Sequence, residues 1–162
     1  MLSVLARARK SLGAVATATA TLILAACVPA EGPSVATGTP SGQVQIALLV
    51  PSGSGQASDE LLARSLQNAA RMAIADLGNA KIDLRVYNTA GSPTQAAAMA
   101  TKAVAEGAQV ILGPVFAQEA NAAGVAVAGS GVNVLAFSNN TDIAGNNVFV
   151  LGPTFDNTAQ RL

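Results

Sequence analysis

The stretch that decides the fold is Val44-Gln45-Ile46-Ala47-Leu48-Leu49-Val50, which Pro51-Ser52-Gly53-Ser54-Gly55 follows directly. It is an almost unbroken apolar run of strand length, and turn-forming residues end it. Strands that are buried on both faces of a parallel sheet have this continuous pattern, whereas half-exposed strands alternate. The run therefore predicts a central strand of a parallel sheet.

A helix is predicted next, with Ser58 as its N-cap, Asp59 and Glu60 in its first turn and Gly78 at its end. Its apolar face is expected to contain residues that recur at helical spacing: Leu62, Leu66, Ala70, Ala73 and Leu77. The residues from Ile82 to Tyr87 then alternate between apolar and polar, which is typical of a strand with one exposed side or edge.

The rest of the chain continues the alternation of helices and strands. Ser92-Pro93-Thr94-Gln95 is a capping box that opens an alanine-rich helix ending at Glu106. The following elements are predicted as a strand at 110–113, a helix at 118–128 and strands at 132–137 and 148–151. This order predicts an α/β fold with a doubly wound parallel sheet, and right-handed crossovers favour the strand order 2-1-3-4-5.

In such sheets, ligands bind beyond the carboxyl ends of the strands. The loops at that edge are predicted to be Pro51–Gly55, Asn88–Gly91, Gly113–Gln118 and Ser138–Thr141. The glycine-rich first loop lacks the lysine of a P-loop and the third glycine of a dinucleotide fingerprint. We therefore interpret it as a turn between strand and helix rather than as a phosphate site.

The N-terminal residues have the layout of an export signal. Three cations (Arg7, Arg9 and Lys10) precede an uncharged, mostly apolar run from Leu12 to Ala26, and Cys27 follows. Leu24-Ala25-Ala26-Cys27 resembles the lipobox of bacterial lipoproteins, in which the cysteine is lipidated. Two alternatives are an ordinary signal peptide cut at Ala20 or Ala26 and a membrane-spanning anchor, but the run is shorter than the ~20 residues that a spanning helix needs.

The sequence divides accordingly into a signal peptide at 1–26, a flexible tether at 27–42 and a folded part at 43–162. The tether is rich in Pro, Gly, Ser and Thr, and such segments cannot bury enough apolar surface to fold. Val28 stands where enteric lipoproteins kept in the inner membrane have aspartate, which favours the outer membrane if sorting is the same. The predicted location is thus the cell envelope, with the protein facing the periplasm.

Composition excludes several classes of function. The chain has nine Lys and Arg against nine Asp and Glu, and three of the cations lie in the predicted signal, so nothing strongly basic remains to attract nucleic acid. Histidine and tryptophan are absent, and Cys27 is the sole cysteine. Neither a Ser-His-Asp nor a Cys-His catalytic set can be assembled. The sequence therefore predicts a protein that is not an enzyme and needs no metal or cofactor.

Several motifs in the folded part carry a family resemblance: Ile46–Pro51, Val110–Pro114, Val134–Asn139 and Val148–Pro153. From Val44 to Leu162 the chain resembles the N-terminal lobe of type I periplasmic binding proteins of the leucine-binding kind. Within that family it looks most similar to the lipoproteins described as penicillin-binding-protein activators. The resemblance implies a two-lobed clamp, so this sequence is expected to be an incomplete, truncated lobe.

The resemblance also implies candidate ligand residues. The loop after the third strand usually offers a serine, but this chain has Ala117 there, followed by Gln118. The loop after the fourth strand offers Ser138, Asn139, Asn140 and Thr141. These four residues could instead form a turn in which their side chains bond to local backbone, or contact a partner.

Two functions follow from the resemblance. The first is an envelope lipoprotein that binds and activates a penicillin-binding protein, a peptidoglycan synthase. The alternative is a substrate-binding lipoprotein that delivers an amino acid or a similar small polar solute to an ABC permease. In both, Cys27 is expected to anchor the protein to the membrane.

Overall fold

The computed structural model describes residues 42–154 and 158–160. The signal peptide and the tether predicted at 1–42 lie outside these residues, apart from Gly42, and so does Cys27. Within the described part, strands and helices alternate as the sequence predicts. The elements are β1 Val44–Val50, α1 Ala57–Asp76, β2 Ile82–Asn88, α2 Pro93–Ala105, β3 Val110–Leu112, α3 Ala117–Val127, β4 Asn133–Ala136, a 3-10 helix Thr141–Ile143 and β5 Val148–Val150.

The five strands form one sheet in the order β2-β1-β3-β4-β5, with all neighbours parallel. Both the predicted fold class and the predicted strand order are confirmed. β1 lies inside the sheet, where Leu48 is opposite Val86 of β2 and Leu112 of β3. β2 lies at an edge, and its exposed Arg85 pairs with Asp83 at 2.9 Å. Charged residues on an edge strand discourage pairing with another sheet.

The core lies on both faces of the sheet. On one face α2 and α3 pack against Leu49, Ile111 and Val134, all of which are fully buried. On the other face α1 packs through Ala63 against Leu48 and Val50, with Leu66 and Ala70 partly buried beside them.

Two details of α1 differ from the prediction. Ser58 is not the N-cap, because the helix already begins at Ala57 after Gln56, and no side chain caps it. The predicted apolar face also extends too far, since Ala73 and Leu77 are exposed. A helix of 20 residues is about 30 Å long, whereas a strand of seven residues spans about 23 Å. The last turns of α1 therefore project beyond the sheet.

Candidate functional site

A pocket of about 600 Å³ lies at the carboxyl edge of the sheet, as expected for a doubly wound fold. Two parts of its wall come from the N-terminal turns of α2 and α3, and two come from the segments that follow β4 and β5. Its lining consists of Gly91, Pro93, Val115, Phe116, Ala117, Gln118, Glu119, Phe137, Ser138, Asn139 and Pro153. Most of these side chains are apolar, and few are polar, which is typical of small-molecule sites.

The start of α3 supplies backbone donors to the pocket. The first hydrogen bond within this helix joins the Ala120 N–H to the Phe116 carbonyl oxygen at 3.0 Å. The backbone N–H groups of residues 117–119 come before this first hydrogen bond of the helix. No side chain caps the helix at Phe116. Uncapped amides at a helix N-terminus attract acceptor groups. In contrast, Ser92 caps α2 by accepting from the Gln95 N–H.

Glu119 is the most unusual residue of the pocket. It lies in the first turn of α3 with 1% of its surface exposed, and it is the one ionisable side chain among the described residues of the lining. Its Oε1 lies 3.0 Å from the Thr89 hydroxyl, and its Oε2 is buried without a hydrogen-bond partner. Leaving a buried acceptor unpaired costs about 1–3 kcal/mol.

Burial raises the pKa of Glu119 above its usual value, and the negative charge of Asp59 raises it further, although the hydrogen bond with Thr89 opposes the change. Thr89 is itself buried, and its hydroxyl also lies 3.1 Å from the Val50 carbonyl oxygen. One hydroxyl proton cannot serve both oxygens. If it goes to Val50, the Glu119 Oε1 must carry a proton and donate it to Thr89, which agrees with the raised pKa.

The structure brings four of the six predicted ligand residues to the pocket: Ala117, Gln118, Ser138 and Asn139. Asn140 and Thr141 are not part of the lining. Instead, the Ser138 Oγ accepts from the Asn140 N–H at 3.1 Å, and the Asn140 Oδ1 accepts from the Asp142 N–H at 2.9 Å. These bonds are the turn chemistry considered above, and the bond from Asp142 to Asn140 caps the 3-10 helix. The predicted lipidation site, Cys27, lies outside the described residues.

The glycine-rich loop after β1 does not line the pocket. The Gly53 N–H donates to Glu60 Oε1 at 2.6 Å, and the Ser52 hydroxyl donates to Glu60 Oε2 at 2.7 Å. These bonds lower the pKa of Glu60, first through Gly53 and then through Ser52. A carboxylate of the protein therefore occupies the donors that a phosphate would need, which agrees with the interpretation of this loop as a turn.

Sequence reasoning missed Glu119 as a member of the site. It placed Thr89, the first residue after β2, in the Asn88–Gly91 loop at the carboxyl edge of the sheet but gave it no role. Glu119 gave no signal of its own, because an acidic residue in a first helical turn is ordinarily explained by the helix dipole.

The described residues contain no cluster of three or more His, Cys, Asp and Glu side chains that could hold a metal ion. Within the same residues, no helix combines the length and the hydropathy needed to cross a membrane.

Comparison with known proteins decides the family. The family described as "Periplasmic binding protein" matches residues 43–162. The chain belongs to this family. Membership indicates a periplasmic or envelope location. No curated protein sequence matches the chain.

Three solved structures of binding proteins have the same fold. A leucine-binding protein from Thermotoga maritima is 21% identical with a TM-score of 0.57, and it matches 65% of this chain and 31% of its own. A leucine-, isoleucine-, valine-, threonine- and alanine-binding protein from Brucella ovis is 25% identical with a TM-score of 0.59, over 73% of this chain and 35% of its own.

A third solved structure was determined with a bound ligand. It is an ABC transporter solute-binding protein from Rhodopseudomonas palustris in complex with 3,4-dihydroxybenzoic acid, 22% identical with a TM-score of 0.59, over 66% of this chain and 31% of its own. The matched part of the chain thus spans about a third of the length of these binding proteins.

Proposed function

We propose that the folded part of this chain is one wall of a solute-binding cleft in a non-enzymatic receptor of the bacterial envelope. The observation that carries the proposal is the open pocket of about 600 Å³ at the carboxyl edge of the sheet. Its volume lies within the range of about 300–1,000 Å³ that small-molecule sites occupy. The solute-binding relatives support this function, because each of them has the same fold.

The pocket suits a small solute with an apolar part and a polar end. Phe116 and Phe137 offer an apolar wall, while the α3 amides and Ser138 offer polar groups. An ABC permease is the partner that such a receptor would serve. Because the chain spans a third of its relatives' length, the opposite wall of the cleft would come from a second lobe.

Thermal unfolding in the presence of solutes tests the proposal. L-Leucine and 3,4-dihydroxybenzoate are the first probes, since relatives bind leucine and 3,4-dihydroxybenzoic acid. A ligand at 100 times its Kd stabilises the native state by about 2.7 kcal/mol. We expect a saturable rise in the unfolding midpoint with at least one small polar solute. A midpoint that stays constant across amino acids, amides, short peptides and aromatic acids would contradict the proposal.

A second candidate function is an envelope lipoprotein that binds a penicillin-binding protein and stimulates peptidoglycan synthesis. One observation favours it: Ala117 lines the pocket at the start of α3, where amino-acid-binding members usually offer a hydroxyl. Losing that hydroxyl weakens carboxylate binding by about one to two decades. Co-purification with peptidoglycan synthases tests this function, and recovery no higher than with an unrelated lipid-anchored control would contradict it.

Both functions include the lipid anchor on Cys27, with 27–42 as a tether that holds the folded part away from the membrane. Metabolic labelling with an alkyne fatty acid tests the anchor, and Cys27→Ala is the matched control. We expect label and membrane association in the parent chain and neither in the variant. Equal membrane association of the two chains would contradict lipidation, and fractionation of the membranes tests the outer-membrane location.

A further inference from the structure

A buried series of three polar groups joins the start of α3 to two strands of the sheet. The Oε1 of Glu119 lies 3.0 Å from the Thr89 hydroxyl oxygen, which lies 3.1 Å from the Val50 carbonyl oxygen. These residues belong to the first turn of α3, the position after β2 and the last position of β1. All three are buried, where a hydrogen bond is stronger than in water. The series therefore holds the start of α3 against the carboxyl edge of the sheet.

Both hydrogen bonds of this series form only when Glu119 carries a proton. The neutral acid donates to Thr89, and the Thr89 hydroxyl then donates to Val50. In the ionised state the single hydroxyl proton serves one of the two oxygens, so one of the two bonds is lost. The Oε2 of Glu119 is buried without a hydrogen-bond partner. Burial of an unpaired carboxylate oxygen costs more than burial of a neutral carbonyl oxygen, so the geometry favours the protonated form.

The charge of Glu119 also affects the backbone donors of the pocket. The N–H groups of residues 117–119 come before the first hydrogen bond of α3, and no side chain caps the helix. Their positive partial charge attracts acceptor groups, and a carboxylate in the same helical turn offsets it. A neutral Glu119 therefore leaves these donors to a solute, whereas an ionised Glu119 weakens their attraction for it.

The charged groups around Glu119 do not favour its ionisation. Asp59, in the first turn of α1, has a negative charge that favours the protonated form. Its neighbour Glu60 is bonded to the loop after β1 instead. Asp142, in the 3-10 helix, is exposed and does not line the pocket, and the described lining contains no lysine or arginine. The titratable residues of β2 and α2 interact with one another: Asp83, Arg85, Tyr87, Lys102 and Glu106.

We infer that Glu119 is a positioning residue of the pocket, and that the pocket binds the acceptor group of a solute while Glu119 carries a proton. The inference rests on the proposed solute-binding function and names the regulation of that same site. Glu119 is 1% exposed, so it acts on a solute through the α3 amides rather than by contact. Solute binding is thereby linked to proton uptake, and it weakens as Glu119 ionises.

A titration without solute tests the positioning role independently of the proposed function. Backbone amide chemical shifts of the ¹⁵N-labelled full chain are recorded from about pH 4 to about pH 9. We expect the amides of Thr89 and Ala117 to titrate together, with a midpoint above the reference value of 4.5 for a glutamate. In Glu119→Gln this shared titration should be absent. Shifts that stay constant in the parent chain, or that titrate equally in the variant, would overturn the inference.

Isothermal titration calorimetry across the same pH range tests the linkage. The probes are L-leucine and N-acetyl-L-leucinamide, and the second has no titrating group, so its pH dependence reports on the protein alone. In the parent chain we expect binding at least about tenfold weaker at the upper end of the range, because a carboxylate beside the α3 amides opposes the acceptor.

Glu119→Gln should reverse this loss, because its side-chain N–H donates to Thr89 as the neutral acid does. At about pH 9 the variant should therefore bind more tightly than the parent chain, with an affinity that is constant across the range to within about threefold. Asp76→Asn is the control, since Asp76 is the exposed last residue of α1; it should keep the parent's pH profile.

Two results would overturn the inference while leaving solute binding intact: an affinity of the parent chain that does not fall with pH, or a Glu119→Gln variant that binds more weakly than the parent chain at every pH. The second result would mean a merely structural role for Glu119. Absence of binding of both probes by both chains would also overturn the linkage, and the broader solute screen would then decide the proposed function separately.

Discussion

The buried carboxyl of Glu119 makes a specific prediction about stability against pH. Its pKa is raised above the reference value of 4.5, so the native state binds the proton more tightly than the unfolded state does. The free energy of unfolding contributed by this group is therefore complete below about pH 4.5 and is lost as the pH rises through the native pKa. Glu119→Gln cannot ionise, so it removes this loss.

The quantity to measure is the difference in free energy of unfolding between Glu119→Gln and the parent chain, by urea denaturation followed with circular dichroism. From about pH 4 to about pH 8 we expect the difference to change in favour of the variant, since burial disfavours the ionised form of the Glu119 carboxyl. Other titrating groups are common to both chains and cancel.

Glu60→Gln is the internal control with the opposite sign. The Gly53 N–H and the Ser52 hydroxyl lower the pKa of Glu60, so its stabilisation is present above pH 4.5 and is lost as the pH falls through the native pKa. The Glu60→Gln variant should therefore be destabilised at neutral pH and approach the parent chain in acid. A flat difference for Glu119→Gln, or one with the same slope as Glu60→Gln, would refute the account of Glu119 as a desolvated carboxyl.

Three further predictions concern the site and the fold. Ala117→Ser should tighten binding of carboxylate ligands by about tenfold in calorimetry, and Ala126→Ser, an exposed position of the same helix, should not. Gly113→Ala should lower the free energy of unfolding by at least about 2 kcal/mol, because the φ of Gly113 is +81° and a Cβ would lie 2.5 Å from a carbonyl oxygen of β1. The control Gly129→Ala should not lower it, because a Cβ there meets nothing within 4 Å. Equal effects of the two variants in denaturation would contradict the packing described. Burial and the hydrogen bond to Glu106 raise the pKa of Tyr87 to about 12. Ultraviolet titration of this sole tyrosine should therefore show ionisation well above pH 10. A titration midpoint near 10, the reference pKa of tyrosine, would contradict the burial described.

The sheet was predictable because each of its strands has a local signature. β1 is a continuous apolar run and β2 alternates, which distinguishes an inner strand from an edge strand before any contact is known. The connections then restrict the topology, and the topology alone places Ala117 and Ser138 at the same edge. The overhang of α1 was not predictable, because helical periodicity does not tell where the sheet beneath the helix ends.

The polar interior of the site was not predictable either. Glutamate is rarely buried, and the partner of Glu119 is Thr89, which is 30 residues away in the sequence. Such a pair is visible only when the carboxyl end of β2 and the start of α3 are brought together. The turn at residues 138–141 was an open alternative for the same reason, and two local hydrogen bonds assign Asn140 to it.

The central claim is that a solute binds at the carboxyl edge of the sheet, and backbone amide chemical shifts of the ¹⁵N-labelled chain test it most directly. On titration with the tightest-binding solute, we predict saturable shifts concentrated at Ala117–Glu119 and Ser138–Asn139. A separate surface pocket is lined by residues of α3 and by Asn146 and Asn147. Saturable shifts concentrated there instead, or no saturable shifts in the described residues, would contradict the claim.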